Sequence, residues 1–194
     1  MEGDDAMLPS TERRRLTYDD FLLFPDDGKR HELIDGEHFV TPSPNLRHQE
    51  LLGRLFLAIA THLTTRRHLG RVFLSPFDVV FTKFDVVEPD LLFVAGDQLD
   101  ILTKQNVQGP PALVVEILSP GTRRKDEQLK RDLFERGGVR EYWLVDPLDD
   151  SVRVFRRTED GGLSLTQHLR RDEALRTPLL PELAIVLGEL FAED

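Results

Sequence analysis

The sequence predicts a single α/β domain, a mixed β-sheet flanked by helices, and three patterns predict it. Apolar residues recur at three- and four-residue steps between Asn45 and His68, the mark of a helix with one buried face. The run from Ala112 to Leu118 is apolar on both faces except for Glu116, as in a central strand covered from both sides. Hairpin signals on either side supply antiparallel strands, and no repeat, linker or low-complexity block interrupts residues 17 to 194. Of the 194 residues 40% are hydrophobic and 31% charged, a balance that supports one core of ordinary domain size.

In chain order, residues 1 to 15 mix acids, Pro9, Ser10 and three arginines without any apolar period, and read as a flexible N-terminal tail before a domain spanning 16–194. Thr17 and Asp20 are spaced to cap a short helix that carries Phe21, Leu22 and Leu23 and stops near Pro25. His31 to Ile34 and Glu37 to Val40 flank Asp35-Gly36, a pair suited to positive φ, and predict a hairpin. After the long helix, Val72 to Leu74, Asp78 to Phe81 and Leu91 to Val94 read as strands punctuated by Pro76 and Pro89. Thr122 caps a second helix running to about Arg136, with Leu129, Leu133 and Phe134 facing inward and Gly137-Gly138 as the stop. Glu141 to Val145 is a further strand, Ser151 to Arg156 and Leu163 to His168 form a hairpin across Asp160-Gly161-Gly162, and Leu183 to Phe191 closes the chain.

Composition also removes whole classes of chemistry. With no cysteine there is no disulfide, zinc–thiolate site, iron–sulfur cluster or cysteine nucleophile, which leaves oxygen and imidazole as metal ligands. No apolar run approaches the ~18 residues a membrane span needs, and the acidic N-terminus lacks the features of a signal peptide, so a soluble, cytoplasmic protein is expected. The formal net charge of −10 opposes approach to a phosphate backbone unless the site is locally basic or holds a divalent cation. The phosphate-loop, Gly-x-Ser-x-Gly, His-Glu-x-x-His and dinucleotide-binding glycine motifs are all missing from the sequence.

Two acids stand out. Asp90 follows Pro89 at the head of one strand, and Glu116 sits within another that is otherwise apolar. Burying a lone carboxylate costs at least several kcal/mol unless it is paired or bound to a cation. Adjacent strands can therefore bring Asp90 and Glu116 together around a hard ion such as Mg²⁺; the alternative is that Glu116 pairs with an arginine inside the fold. Arg123, Arg124 and Lys125 oppose the dipole of the helix they begin, which suits phosphate contact, or else they form a solvated helix start. Lys130, one of five lysines, either lies beside the metal and offsets phosphate charge or makes an exposed pair with Asp126 four residues away. Glu32, Glu37 and His48 are auxiliary ligand or proton-shuttle candidates, or surface residues. Tyr142, Trp143 and Leu144 either lie near an edge, supporting a homodimer, or are buried.

The stretches His31-Glu32-Leu33-Ile34-Asp35-Gly36-Glu37, Pro89-Asp90-Leu91, Val114-Val115-Glu116-Ile117-Leu118-Ser119-Pro120, Thr122-Arg123-Arg124-Lys125-Asp126 and Glu141-Tyr142-Trp143-Leu144-Val145-Asp146-Pro147 resemble the Uma2 family, assigned as endonucleases within the PD-(D/E)XK nuclease superfamily. The resemblance runs from about Thr17 to Glu189-Leu190-Phe191. It implies a restriction-endonuclease-like core in which Asp90 and Glu116 bind Mg²⁺ or Mn²⁺ and a phosphodiester is hydrolysed in line to leave a 5′-phosphate, with DNA as the substrate. The superfamily lysine belongs two residues after Glu116, where this chain has Leu118; the resemblance moves that role to Lys130, which would position or deprotonate water. It also places Glu32, His48 and Asp126 as auxiliary residues and Arg123 and Arg124 on the nucleic acid, with Arg47 or Arg54 adding to a positive rim. His31 stands where the family usually has tyrosine. Two functions therefore enter the structural test: a metal-dependent DNA endonuclease, and a non-catalytic binding or assembly module that keeps the nuclease fold.

Overall fold

The computed structural model describes residues 14–193, so the expected tail lies outside the described residues except for Arg14 and Arg15. After helix α1 (Tyr18–Phe21) the hairpin β1 (Arg30–Ile34) and β2 (Glu37–Thr41) leads into α2 (Leu46–Thr64). There follow β3 (Gly70–Leu74), β4 (Val79–Thr82), β5 (Asp85–Val87), β6 (Leu91–Ala95), β7 (Val107–Gln108) and β8 (Leu113–Ile117). A π-helical turn over Lys125–Lys130 runs straight into α3 (Arg131–Gly137), and β9 (Glu141–Asp146), β10 (Ser151–Arg157) and β11 (Leu163–Leu169) come next. The chain closes with β12 (Ala174–Leu175), β13 (Ile185–Val186) and a single turn, α4 (Leu187–Leu190).

Six strands form the main sheet in the order β11-β10-β9-β8-β6-β3, mixed because β8 and β9 run parallel while every other pair is antiparallel. The parallel pair needs a crossover, which the π turn and α3 provide. Strand alternation splits β8 between two cores. Leu113, Val115 and Ile117 pack with Leu51, Leu55 and Ile59 of α2, while Val114 and Leu118 pack with Leu133 and Phe134 of α3 and with Val79, Val87 and Val107 of the second sheet. That second sheet has the order β2-β1-β5-β4-β7. Both faces of the main sheet are therefore covered, as the run Ala112 to Leu118 requires.

The elements follow from local chemistry. Asn45 caps α2 by accepting from the His48 N–H, and Thr17 and Asp20 form the expected capping box on α1. Asp35 and Gly36 both take positive φ, 58° and 76°, which closes the hairpin. Gly138 stops α3 with φ 98°.

Three expectations are corrected. The helix predicted from Thr122 is π-helical over Lys125–Lys130, and this wider turn rotates Leu129 out to solvent while Asp126 and Lys130 face inward. The short strands β5 and β7 carry too few residues to show a period, and the sequence reading does not contain them. Tyr142, Trp143 and Leu144 are each 0% exposed on β9, between β10 and β8, so that strand is not an edge and gives no support to a homodimer.

Candidate active site

Antiparallel pairing of β6 with β8 sets Leu91 opposite Val115; one step further along the same register puts Asp90 opposite Glu116. Both acids line a cavity of about 360 Å³, and both are buried. The first turn of α2 brings in His48, and the π turn brings in Asp126 and Lys130. Glu32 reaches the same place from β1 of the smaller sheet. Five segments distant in sequence thus meet where the two sheets face each other.

Lys130 is the hub. Its Nζ lies 2.7 Å from Glu116 Oε1, 2.7 Å from Glu32 Oε1 and 3.8 Å from Asp126 Oδ1, and it is buried with all three. The exposed pair with Asp126 considered from the sequence is therefore not what forms. Lys125 Nζ donates to Glu32 Oε2 at 2.6 Å and to Thr41 Oγ1 at 2.8 Å. Asp90 is held by three donors: Arg30 Nη1 at 2.7 Å, His48 Nε2 at 2.9 Å and the Ile117 N–H at 2.8 Å.

Charge in this dry space sets the ionisation. Burial pushes Asp90 up, but the hydrogen bond and charge of His48, with Arg30 and the Ile117 N–H, hold it well below the usual carboxylate range. Since that carboxyl is ionised, His48 is the donor in their hydrogen bond. Burial also pushes Glu32 up, and Lys130 and Lys125 outweigh it, leaving the carboxyl at about 2. Glu116 goes the other way. Its burial and the neighbouring Asp90, Asp126 and Glu32 raise it well above the ordinary value against the pull of Lys130. Asp126 is raised for the same first reason, burial. Lys130 would lose its proton more readily through burial alone, yet Glu116, Glu32 and Asp126 raise its pKa, so it is an ammonium. The notion that it deprotonates water does not fit this setting; a fixed positive charge does.

These residues fit a hard divalent cation on their donor chemistry. Burial and the neighbouring carboxyls disfavour the charged forms of Glu116 and Asp126, which a bound cation would favour, and Asp126 Oδ1 is buried without a hydrogen-bond partner. Among the described residues no three His, Asp or Glu side chains are gathered as a preformed metal cluster. An ion held here would take two carboxylates and complete its shell with main-chain oxygen, water or substrate, the habit of Mg²⁺.

The remaining candidates lie elsewhere. Arg123 grips Asp146 with both nitrogens at 2.7 Å and is not among the residues that line the cavity. Arg124 is exposed beside Gln128. Arg47 lines the cavity while donating to the Phe191 and Ala192 carbonyls, and Arg54 donates to Leu190 and Ala192. Glu37 is exposed on β2. Two residues of the site went unnoticed in the sequence. Arg30 shares a strand face with Glu32, so alternation from Glu32 would have found it. Glu88, two residues before Asp90, is buried; burial, with Asp78 and Glu32 nearby, pushes its carboxyl to about 7.

The profile of the Uma2 family, described as "Putative restriction endonuclease", matches residues 18–188. No curated protein matches the chain. Among solved structures, a "putative nuclease belonging to DUF820" from Anabaena variabilis ATCC 29413 shares the fold with a TM-score of 0.76, covering 91% of this chain and 97% of that one at 21% identity.

Proposed function

The chain belongs to the Uma2 family, and from that premise we propose that it is a divalent-metal-dependent endonuclease that hydrolyses phosphodiester bonds, with DNA as its substrate. One observation carries the reading: Asp90, Glu116 and an ammonium, Lys130, converge in a buried position at a cavity open to substrate. Buried carboxyls shifted in opposite directions, the raised one beside a buried ammonium, mark this cluster as a candidate hydrolytic site.

Asp90 and Glu116 would hold Mg²⁺ or Mn²⁺, which when bound supplies Lewis acidity to the phosphodiester and acidifies water. The chain's own residues do the rest. His48 and the Ile117 N–H fix the orientation of the Asp90 carboxylate. Lys130 stays protonated beside Glu116 and offsets charge that develops on the phosphate, the part the superfamily gives to a lysine at the position of Leu118. Arg30, hydrogen-bonded to Asp90 at 2.7 Å, and Lys125 at the cavity wall present further positive charge to a phosphate backbone. Arg124 remains the rim contact of the pair proposed from sequence; Arg123 serves Asp146.

Nicking of supercoiled plasmid in Mn²⁺ or Mg²⁺ tests this. Wild type nicks, and Asp90→Asn and Glu116→Gln each lose at least about a hundredfold, the scale of removing one electrostatic element of a hydrolytic site. A second reading has its own observation: Asp90 already has Arg30 and His48, and Glu116 has Lys130, so the cluster is paired without any ion. A non-catalytic module would keep those pairs. Calorimetric titration with Mn²⁺ separates the two, because only the nuclease shows a binding heat that Asp90→Ala abolishes.

A further inference from the structure

We propose that Glu88 reads the nucleotide beside the scissile phosphate, accepting a hydrogen bond from a donor group of that nucleotide in a second cavity that joins the first at Asp90. This rests on the nuclease reading. The second cavity, about 400 Å³, shares Arg30, His48, Asp90 and the turn 41–44 with the first, and adds Glu88, Gln49, Leu52, Ser75 and Pro76 of its own. The two form one cleft, and the acid that would hold the metal stands at their junction. A phosphate bound there has one neighbouring nucleotide in each cavity.

Glu88 is 8% exposed and lines the second cavity, and its Oε2 is buried with no hydrogen-bond partner. Its main chain is fixed, since its N–H donates to Glu32 Oε1 at 3.1 Å. The terminal torsion of a glutamate is soft, so a turn of the carboxyl group presents an oxygen to the cavity. A buried acceptor without a donor is costly to keep, and a ligand that brings the donor removes the cost. The missing partner is a donor, so it is not a phosphodiester, whose oxygens carry no hydrogen to give. Nor is it a lysine of the wall, because Lys29 is engaged by Asp27 at 3.1 Å. A second metal would need more oxygens than are gathered, for no three acids cluster among the described residues. What remains is an N–H or O–H of the nucleotide: the exocyclic amine of a base, the ring N–H of thymine or uracil, or the ribose 2′-hydroxyl. Pro42, Pro44, Pro76 and Leu52 offer apolar surface for the face of a base.

Fluorescence anisotropy with short single-stranded dA, dC, dT and rU homopolymers in Ca²⁺ tests it, alongside plasmid nicking by the same protein in Mn²⁺. Wild type binds dA or dC about tenfold tighter than dT if a base amine is the donor, dT about tenfold tighter than dA and dC if the ring N–H is, or rU about tenfold tighter than dT if the 2′-hydroxyl is, the scale of one specific polar contact. Glu88→Met, which removes both oxygens at similar volume, brings the preferred polymer to within about twofold of the others; Glu88→Gln, which keeps one acceptor, retains part of the preference. Equal binding of all four polymers, a preference that survives in Glu88→Met, or no binding at all overturns the assignment. If Glu88→Met does not fold, loss of part of the preference in Glu88→Gln supports the role and full retention overturns it. Nicking without any preference leaves the nuclease and removes the role of Glu88; a Glu88-dependent preference without nicking does the reverse.

Discussion

Lys130 shows how much one side chain carries. Its ammonium is the shared partner of Glu116 and Glu32, so Lys130→Met leaves Glu116 without its cation and Glu32 with Lys125 as its one remaining cation. Breaking one side of a buried ion pair costs about 3–5 kcal/mol, and urea denaturation should show a loss of that size. Glu116→Gln should do no comparable harm, because burial and three neighbouring carboxylates already disfavour its charge. The two variants thus share the loss of nicking and differ in stability, which separates structural from chemical damage. The residues were unevenly legible in the sequence. Asp90 and Glu116 were readable because a charged residue in an apolar strand demands a reason. Arg30 was within reach through alternation with Glu32, while Glu88 and the partnership of Lys125 with Glu32 were not, because their partners lie 56 and 93 positions away and no local pattern reports such distances.

The crossover between β8 and β9 is the element on which the site turns. Its π turn swings Leu129 outward and points Asp126 and Lys130 into the cavity, and periodicity alone cannot reveal such a turn because it assumes a constant number of residues per turn. Two anchors hold the crossover. Arg123 clamps its start to Asp146 at the end of β9. Burial raises the Asp146 carboxyl, but the Arg123 contact outweighs it and the net displacement is downward. A carboxyl lowered in the folded state stabilises above the ordinary carboxylate range and loses that stabilisation as pH falls through the folded value. Asp146→Asn should therefore lower the denaturation midpoint at pH about 7 and narrow its gap to wild type as pH drops below about 4. At the other end Gly138 ends α3 with φ 98°, a conformation unfavourable for any residue with a Cβ, and a Cβ there would also approach Pro110 Cγ to 3.4 Å. Gly138→Ala should cost about 1–2 kcal/mol, seen as a lower thermal midpoint.

At the scale of the molecule, one sheet packs on both faces, and the single tryptophan sits within it. Trp143 is fully buried, and its indole N–H donates to Glu141, which also receives Arg156. Its fluorescence should report the main core, shifting to the red on unfolding. With α2 on one face and α3 with the smaller sheet on the other, coincident fluorescence and far-ultraviolet circular dichroism transitions are expected, since both large cores are built on the same strand β8. The mixed sheet, the long helix and the hairpins were legible because each repeats a period over several residues. The division into two sheets was not, since it depends on β5 and β7, strands of three and two residues.

Because Glu32, His48, Asp90, Glu116 and Lys130 come from separate stretches of the polypeptide, no fragment of the chain owns the chemistry. A ribosome-bound product ending before the crossover lacks the ammonium, and one whose smaller sheet has not docked lacks Glu32. On the nuclease reading, competence to cut arrives together with the last tertiary contacts, and a half-made copy spares the nucleic acid around it.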